Sequence, residues 1–279
     1  MAIVIDGKSI SEKILKTLAK KIKKNQLRLK LAVVLVGNDS VSKIFVKEKE
    51  KACQKVGIDF LFFQFSPKIS QKEIEKKIEE ISKRSDIKGI VVQLPLPKTL
   101  NREKILDKIP LEKDVDVLTS LGIGKFYNNS LSIIPPVVKS VETIFKNYHL
   151  SLKNKNIVLI GAGHLVGAPL ALWLLKKKAS FTLIEKFNKD ISFYTKKADV
   201  IISGIGKENF ITKEMVKKGV VIIDVGNCYR RNKIKGDVDF ENVKKVARII
   251  TPVPGGIGPI TVACLLENLV EINLIKNKK

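Results

Sequence analysis

The feature that most constrains this chain is a regular alternation of short apolar runs with segments of helical periodicity. In the first half, two helical segments separate three runs rich in β-branched and aromatic residues, at 31–37, 60–65 and 89–97. A second series follows, with apolar runs at 156–163, 181–185, 199–206 and 220–226. A strand, a helix and another strand in succession form a parallel βαβ unit, in which helices cover the sheet. The sequence therefore predicts an α/β fold with two βαβ lobes.

The stretch from about 100 to 135 breaks this alternation. It is rich in turn-forming residues, and we predict that it links two lobes, with one domain at 1–120 and the other at 121–279. The last apolar segment, 260–274, places Val262, Leu266 and Leu269 on one helical face. It predicts a C-terminal helix.

The charge of the chain is strongly positive, with 52 Lys and Arg against 28 Asp and Glu, a net +24. A basic surplus can indicate a nucleic-acid partner. Only six of the 52 are Arg, the usual bidentate reader of bases and phosphates, and no basic segment is interleaved with aromatic residues. We therefore predict no nucleic-acid partner, and we expect either a compositional bias or a diffuse attraction for anions.

Cysteine and histidine are too few and too scattered for a disulfide framework or a metal site. Cys53, Cys228 and Cys264 lie far apart and form no CxxC pair, which is typical of a reducing compartment. The two histidines, His149 and His164, exclude a His-rich metal centre, so we predict no metal. No apolar run approaches the roughly 18 residues of a membrane span. The sequence predicts a cytoplasmic protein with no membrane partner.

A glycine-rich turn, GAGHLVG (161–167), follows a predicted strand and opens a predicted helix. In this context glycines let the backbone approach a pyrophosphate, and the helix N-terminus supplies N–H groups, although the GxGxxxG spacing loosens the usual fingerprint. Glu185 ends the next strand, where an acid usually holds the ribose 2′-hydroxyl of NAD and repels a 2′-phosphate. Lys186 beside it could pair with a phosphate instead, or both could be solvated loop charges.

A lysine in the first half is a candidate acid/base group. The segment 40–56 is predicted to be a helix, and Phe45, Lys49 and Cys53 are spaced four apart, so they share one of its faces. Most lysines only solvate a surface, but partial burial lowers an ammonium pKa and permits proton transfer. Gln93 ends a buried strand, at the edge where α/β sheets bind ligands.

Two further segments carry polar or conformationally unusual residues. Asp114 and Asp116, in KDVD, follow a loop with a proline and fit a turn or helix cap as well as a ligand site. The run TPVPGGIGPIT (251–261) combines prolines, which fix φ, with glycines, which permit close backbone approach. We predict that this run contacts a ligand.

These motifs occur in an order that resembles one enzyme family over nearly the whole chain. The order is IDGKSIS, SKIFVKEKEKAC, GIVVQLPLP, KDVD, GAGHLVGAP, GIGKENFI, VIIDVG, GDVDF and TPVPGGIGPIT. It is similar to the bifunctional methylenetetrahydrofolate dehydrogenase/methenyltetrahydrofolate cyclohydrolase family. The resemblance implies a catalytic domain at 1–120, a Rossmann-type NAD(P)-binding domain at 121–279 and a folate cleft between them. It also implies a C-terminal helix, at about 260–274, that packs back on the first lobe, and a homodimer.

The resemblance also implies roles for single residues. Lys49 matches the family's catalytic lysine, Gln93 the glutamine that supports it and Asp116 the aspartate that holds the pterin. Further matches on the folate side are Phe45, Pro254, Gly255, Gly256 and Gly258. Matches on the cofactor side are Gly161, Ala162, Gly163, Gly167, Glu185, Lys186 and Asn227.

The implied chemistry has two steps. The first oxidises 5,10-methylenetetrahydrofolate to the methenyl form with NAD(P)+, and the second hydrolyses that product to 10-formyltetrahydrofolate. NADP is the expected cofactor, while Glu185 and the GAG turn make NAD possible. The alternative is a Rossmann dehydrogenase of this scaffold with reduced or lost cyclohydrolase activity, or with another small substrate.

Several positions depart from the family's usual residues. Phe45 stands where Tyr is usual, Val117 where Gly is usual, Pro135 where Thr is usual and Gly163 where Ser is usual. Phe45 keeps the stacking surface but lacks the hydroxyl, so we expect reduced rather than absent hydrolysis.

Overall fold

The structure is a computed structural model that describes residues 2–185, 187–188, 190–230 and 233–276. The strands of the described residues are β1 (Ile3–Val4), β2 (Lys30–Val36), β3 (Asp59–Phe65), β4 (Gly89–Gln93), β5 (Ile157–Ile160), β6 (Phe181–Ile184), β7 (Val200–Ser203), β8 (Val221–Asp224), β9 (Cys228–Arg230), β10 (Lys233–Lys235) and β11 (Ile249–Ile250). The α-helices are α1 (Gly7–Lys24), α2 (Ser40–Val56), α3 (Gln71–Lys83), α4 (Arg102–Leu106), α5 (Ser120–Tyr127), α6 (Pro136–Asn147), α7 (Gly167–Lys176), α8 (Ile191–Thr195), α9 (Phe240–Val243) and α10 (Ile257–Lys276). The predicted α/β class is confirmed.

The chain divides into two compact units, each built from two separate segments. Met1–Ile10 and Val137–Thr261 form the six-stranded unit, and Ser11–Pro136 and Val262–Lys279 form the three-stranded unit. The sequence placed one boundary at 120, whereas the structure groups residues 121–136 with the chain that precedes them. It also groups the first ten residues with the later segment, because β1 pairs with β11.

The three-stranded unit contains a parallel sheet in the order β3-β2-β4. Almost all of β2 and all of β4 are buried, which explains why both read as continuous apolar runs rather than alternating ones. Helix α3 packs Ile74 and Ile78 into the same core as Val34 and Ile90. The sheet therefore has a buried centre, and Gln93 is the last residue of its strand β4.

The segment 100–135 is a folded part of this unit and not the link that the sequence predicted. It contains α4, α5 and a short 3-10 helix at Leu111–Lys113. Asn101 caps α4 and Thr119 caps α5, and the side chain of Phe126 is buried. These helices span at most eight residues, which is too short for a clear helical period in the sequence.

The six-stranded unit contains a sheet in the order β1-β11-β8-β7-β5-β6, in which every neighbouring pair is parallel. Because the strands are parallel, their carboxyl ends share one edge. The chain runs from β5 to β6 on one side and returns to β7 on the other side of β5. The carboxyl end of β5 is therefore the switch point at which such sheets bind ligands.

Helix α10 is long and apolar enough to cross a membrane by length and composition, with a mean hydropathy of 1.4 over Ile257–Ile275. The prediction that no segment of this length and hydropathy exists is therefore wrong. Of that window, 61% is buried inside the protein. A helix that is apolar all round is also typical of the core of a folded domain.

Candidate functional site

Helix α2 presents a buried lysine to the end of strand β4. The Asp39 carboxylate caps the helix by accepting a hydrogen bond from Ser42 N at 2.7 Å, and the helix spans the predicted 40–56. Lys49 is 9% exposed, and its Nζ donates to Gln93 Oε1 at 2.8 Å. Gln93 Nε2 in turn donates to Leu94 O at 2.9 Å. The structure thus joins the predicted lysine and glutamine directly, while Phe45 is half-buried on the same helix.

The environment of Lys49 favours the neutral amine. Burial lowers the pKa of Lys49, and the nearby Asp116 and Cys53 only partly oppose this effect. Burial also raises the pKa of Asp116 to about 6, against the opposing charge of Lys49. The Cys53 thiol has its pKa raised to about 12 by burial, so it is protonated at neutral pH and is no nucleophile. The cluster thus holds an amine whose pKa is lowered and a carboxyl group whose pKa is raised, which is typical of an acid/base site.

The two aspartates of KDVD have different environments. The buried Asp114 carboxylate accepts hydrogen bonds from Leu118 N at 3.1 Å and Thr119 N at 3.0 Å, so it closes the turn. Asp116 remains half-buried, close enough to Lys49 for their charges to interact. Val117 follows with a φ of +56°, a left-handed conformation that is unfavourable for a β-branched residue. Of the two roles predicted for KDVD, the role in closing a turn therefore belongs to Asp114.

Asn268, on α10, is a buried residue that the sequence did not single out. It is 0% exposed, and its Nδ2 donates to Val115 O at 2.9 Å and to Ile134 O at 2.8 Å. Val115 lies between the two aspartates, so this amide fixes the loop that presents Asp116. The one sequence signal was an amide among apolar helix positions, which resembles many structural asparagines.

The glycine turn lies in the six-stranded unit, between β5 and α7. Gly161 has a φ of +93°, and a Cβ there would meet the Ile205 side chain at 2.8 Å. A Cβ at Gly167 would lie 1.8 Å from Gly161 O. Both glycines are therefore required for close packing of the turn, whereas a Cβ at Gly163 would meet nothing within 4 Å. The turn stands at the switch point and leaves the half-buried backbone of Ala162 and the exposed backbone of Gly163 near its surface.

Glu185 follows β6, the strand next to β5, and reaches the glycine turn. Its Oε1 accepts a hydrogen bond from Ala162 N at 2.7 Å, and its side chain is exposed. The neighbouring Lys186, predicted to reach a phosphate, lies outside the described residues. The structure therefore brings together the predicted glycine turn and the predicted Glu185 at one edge of the sheet.

The predicted nicotinamide-side residue, Asn227, is exposed beyond the carboxyl end of β8, at the same sheet edge as the glycine turn. Two buried aspartates fix the loops around it. Asp224 accepts from Gly226 N and Val238 N, each at 3.0 Å. Asp237 accepts from the Ser203 hydroxyl and from the backbone of residues 205 and 207, at 2.7 to 2.9 Å. Sequence reasoning assigned neither aspartate a role.

The loop 251–256, which contains Pro254, follows β11 in the six-stranded unit. Gly255 has a φ of +101°, and its carbonyl accepts from Gly7 N at 3.0 Å. A Cβ at Gly256 would meet Pro252 O at 2.4 Å, so Gly256 serves packing. Pro254 and Gly258 are exposed, and a Cβ at Gly258 would meet no atom within 4 Å. Gly255 and Gly256 thus have structural reasons to be glycine, whereas Gly258, in the first turn of α10, has none in the structure. The predicted contact of these glycines with folate stays a prediction.

The two units define a class of protein. One is a parallel sheet with a glycine turn at its switch point and an acid on the adjacent strand, which is the arrangement of a dinucleotide-binding domain. The other holds a buried lysine with a lowered pKa at a strand end, which is the arrangement of an acid/base site. The class is a nucleotide-dependent enzyme with a separate catalytic domain.

Comparison with known families and structures gives the identity within this class. Residues 5–116 match the catalytic domain of tetrahydrofolate dehydrogenase/cyclohydrolase, and residues 135–277 match its NAD(P)-binding domain. The chain belongs to the tetrahydrofolate dehydrogenase/cyclohydrolase family, and the predicted resemblance is confirmed.

Individual relatives cover the whole chain. The bifunctional protein FolD of Nautilia profundicola is 41% identical over 274 residues, which are 96% of each chain. The crystal structure of FolD, a methylenetetrahydrofolate dehydrogenase/cyclohydrolase, from Campylobacter jejuni is 39% identical with a TM-score of 0.92 and covers 100% of both chains. The structure of the Trypanosoma brucei enzyme, complexed with NADP and an inhibitor, is 28% identical with a TM-score of 0.94, covering 100% of this chain and 99% of that one.

Proposed function

We infer that this protein is a bifunctional enzyme of one-carbon metabolism. It oxidises 5,10-methylenetetrahydrofolate to 5,10-methenyltetrahydrofolate with NAD(P)+, and it hydrolyses that product to 10-formyltetrahydrofolate. The observation that carries the proposal is the contact between Lys49 Nζ and Gln93 Oε1, which supports the hydrolysis. The NAD(P)-binding domain of the same chain supports the oxidation.

The six-stranded unit has the features that a pyridine nucleotide requires. The close packing at Gly161 and Gly167 excludes side chains where a pyrophosphate approaches the turn. Glu185 provides an acceptor for a ribose hydroxyl, and Asn227 lies at the same edge of the sheet. The bound cofactor supplies the hydride acceptor for the oxidation. The protein contributes alignment of the reactants and exclusion of water.

Lys49 is the group that we assign to the hydrolytic step. Water adds to the cationic methenyl carbon, and the oxygen must lose a proton as the new C–O bond forms. A neutral Lys49 amine accepts that proton, and the resulting ammonium can return one to the ring nitrogen when the C–N bond breaks. Burial favours the neutral amine, and a cationic substrate nearby favours it further. Gln93 orients the amine through its carbonyl oxygen.

Asp116 is the group that we assign to the pterin. The amino-pyrimidinone edge of a pterin presents neighbouring N–H donors, which suit the two oxygens of a carboxylate. Its pKa of about 6 leaves Asp116 mostly ionised above neutral pH. The turn closed by Asp114 and the amide of Asn268 hold it in place.

The purified protein tests this function with each substrate supplied separately. We expect NAD(P)H formation from methylenetetrahydrofolate, and loss of methenyltetrahydrofolate absorbance above the uncatalysed rate. Lys49→Ala is expected to lower hydrolysis by about 100-fold or more, the usual contribution of an acid/base group. Lys47→Ala, an exposed lysine of the same helix, serves as the control. Wild-type hydrolysis in Lys49→Ala would refute the assignment, and no turnover of either folate by the wild type would refute the function.

Several finer properties are part of the proposal. The homodimer rests on the family resemblance, and light scattering of the purified protein would measure it. The cytoplasmic location rests on the few cysteines of the sequence, which lie far apart and form no CxxC pair. We expect no nucleic-acid partner, so the protein should show no salt-sensitive binding to duplex or single-stranded nucleic acid. The absence of a membrane partner is supported by α10, much of which is buried within the protein. Sedimentation with lipid vesicles tests it.

A further inference from the structure

The position of the Glu185 carboxylate bears on which pyridine nucleotide the enzyme selects. Strand β6 lies beside β5 in the sheet, so the residue after β6 stands next to the turn that follows β5. The Glu185 side chain reaches that turn, since its Oε1 accepts a hydrogen bond from Ala162 N at 2.7 Å. The carboxylate is thus held against the glycine turn by this hydrogen bond, although its side chain is exposed.

The glycine turn locates the cofactor's pyrophosphate, and the end of the next strand locates the adenosine ribose. The two nucleotides differ at that ribose. NAD has a 2′-hydroxyl, which can donate a hydrogen bond, whereas NADP has a 2′-phosphate of charge about −1.5 to −2. A carboxylate has two oxygens and about four acceptor positions, so one bond from Ala162 leaves Glu185 able to accept another.

We propose that Glu185 makes this enzyme select NAD over NADP. This inference rests on the proposed function and names the cofactor of the same site. The Glu185 carboxylate accepts the ribose 2′-hydroxyl of NAD, and its charge repels the 2′-phosphate of NADP. The side chain is exposed, so the repulsion acts through solvent and weakens as salt is added.

A purely structural role for Glu185 makes a different prediction. If the carboxylate only closes the glycine turn, any side chain that accepts the Ala162 N–H should serve equally well. Glutamine keeps the length of the side chain and an acceptor oxygen but removes the charge. Glu185→Gln therefore separates charge from turn closure.

The test measures binding of NAD+ and NADP+ to the full-length protein by calorimetry, with no folate present. We expect the wild type to bind NAD+ about tenfold or more tightly than NADP+. Glu185→Gln should reduce that ratio about tenfold, mainly by tightening NADP+ binding, and added salt should reduce the wild-type ratio in the same direction. Glu241→Gln removes one charge from an exposed side chain of the same unit that pairs with Lys244, and it should leave the ratio unchanged.

The outcomes separate the inference from the function on which it rests. Tighter binding of NADP+ than of NAD+ by the wild type would overturn the inference and leave the enzyme assignment intact. An unchanged ratio in Glu185→Gln would also overturn it and would leave the turn-closing role. Failure to bind either dinucleotide would overturn both the inference and the proposed cofactor site.

Discussion

Replacing Asn268 by alanine removes a buried amide that holds the loop before Asp116. Its Nδ2 donates to Val115 O at 2.9 Å and Ile134 O at 2.8 Å, and the side chain is 0% exposed. Each such bond contributes about 1 kcal/mol net, and a buried carbonyl left unpaired costs about 1–3 kcal/mol. We expect Asn268→Ala to lower the free energy of unfolding by about 2–4 kcal/mol.

The same variant should also loosen Asp116, and urea denaturation combined with steady-state kinetics measures both effects. We expect the KM for the folate substrate to rise by about three- to tenfold, where tenfold corresponds to about 1.4 kcal/mol. Asn273→Ala is the matched control, because the Asn273 amide donates at 2.8 Å to Leu269 O within its own helix and only at 3.5 Å to Lys88 O. Equal losses of stability in the two variants, or an unchanged KM in a destabilised Asn268→Ala, would refute this reasoning.

Two further predictions concern backbone strain and pH. Val117 has a φ of +56°, which strains any residue with a side chain. Val117→Gly should therefore be about 1 kcal/mol more stable than Val117→Ala, although glycine is usually the less stable of the two. Denaturant unfolding measures this difference, and a more stable alanine variant would contradict the strain. Burial and the neighbouring Asp237 raise the pKa of Asp224 from 3.8 to about 7, so the folded state binds this proton more tightly than the unfolded chain. The corresponding stability is fully present below about pH 4 and is lost as pH rises through about 7, and Asp224→Asn should flatten that decline; an unchanged pH slope of the unfolding free energy would contradict it.

The local parts of the site were predictable from the sequence. The bounds of α2 follow from its helical period, and the four-residue spacing placed Lys49 on the buried face. Gln93 and Glu185 were placed by a simple rule, namely that ligand groups follow the carboxyl ends of parallel strands. The contact of Lys49 with Gln93, 44 residues apart, could only be proposed.

The parts that the sequence could not predict depend on contacts between distant segments. Asn268 bonds to Val115 and Ile134, which are 153 and 134 residues away, and nothing local marks it. Strand β1 has two residues and exists only because β11 pairs with it, so the first ten residues gave no sign of their unit. The helices within 100–135 are too short to show a period.

The pH dependence of methenyltetrahydrofolate hydrolysis tests most directly whether Lys49 moves the proton. After the uncatalysed rate is subtracted, kcat/KM of the wild type should rise with pH through a group whose pKa lies below the ordinary lysine value of 10.5. That rise should disappear in Lys49→Ala and persist in Lys47→Ala. A rise that persists in Lys49→Ala, or one that occurs only near 10.5, would contradict the assignment of Lys49 as the hydrolytic acid/base group.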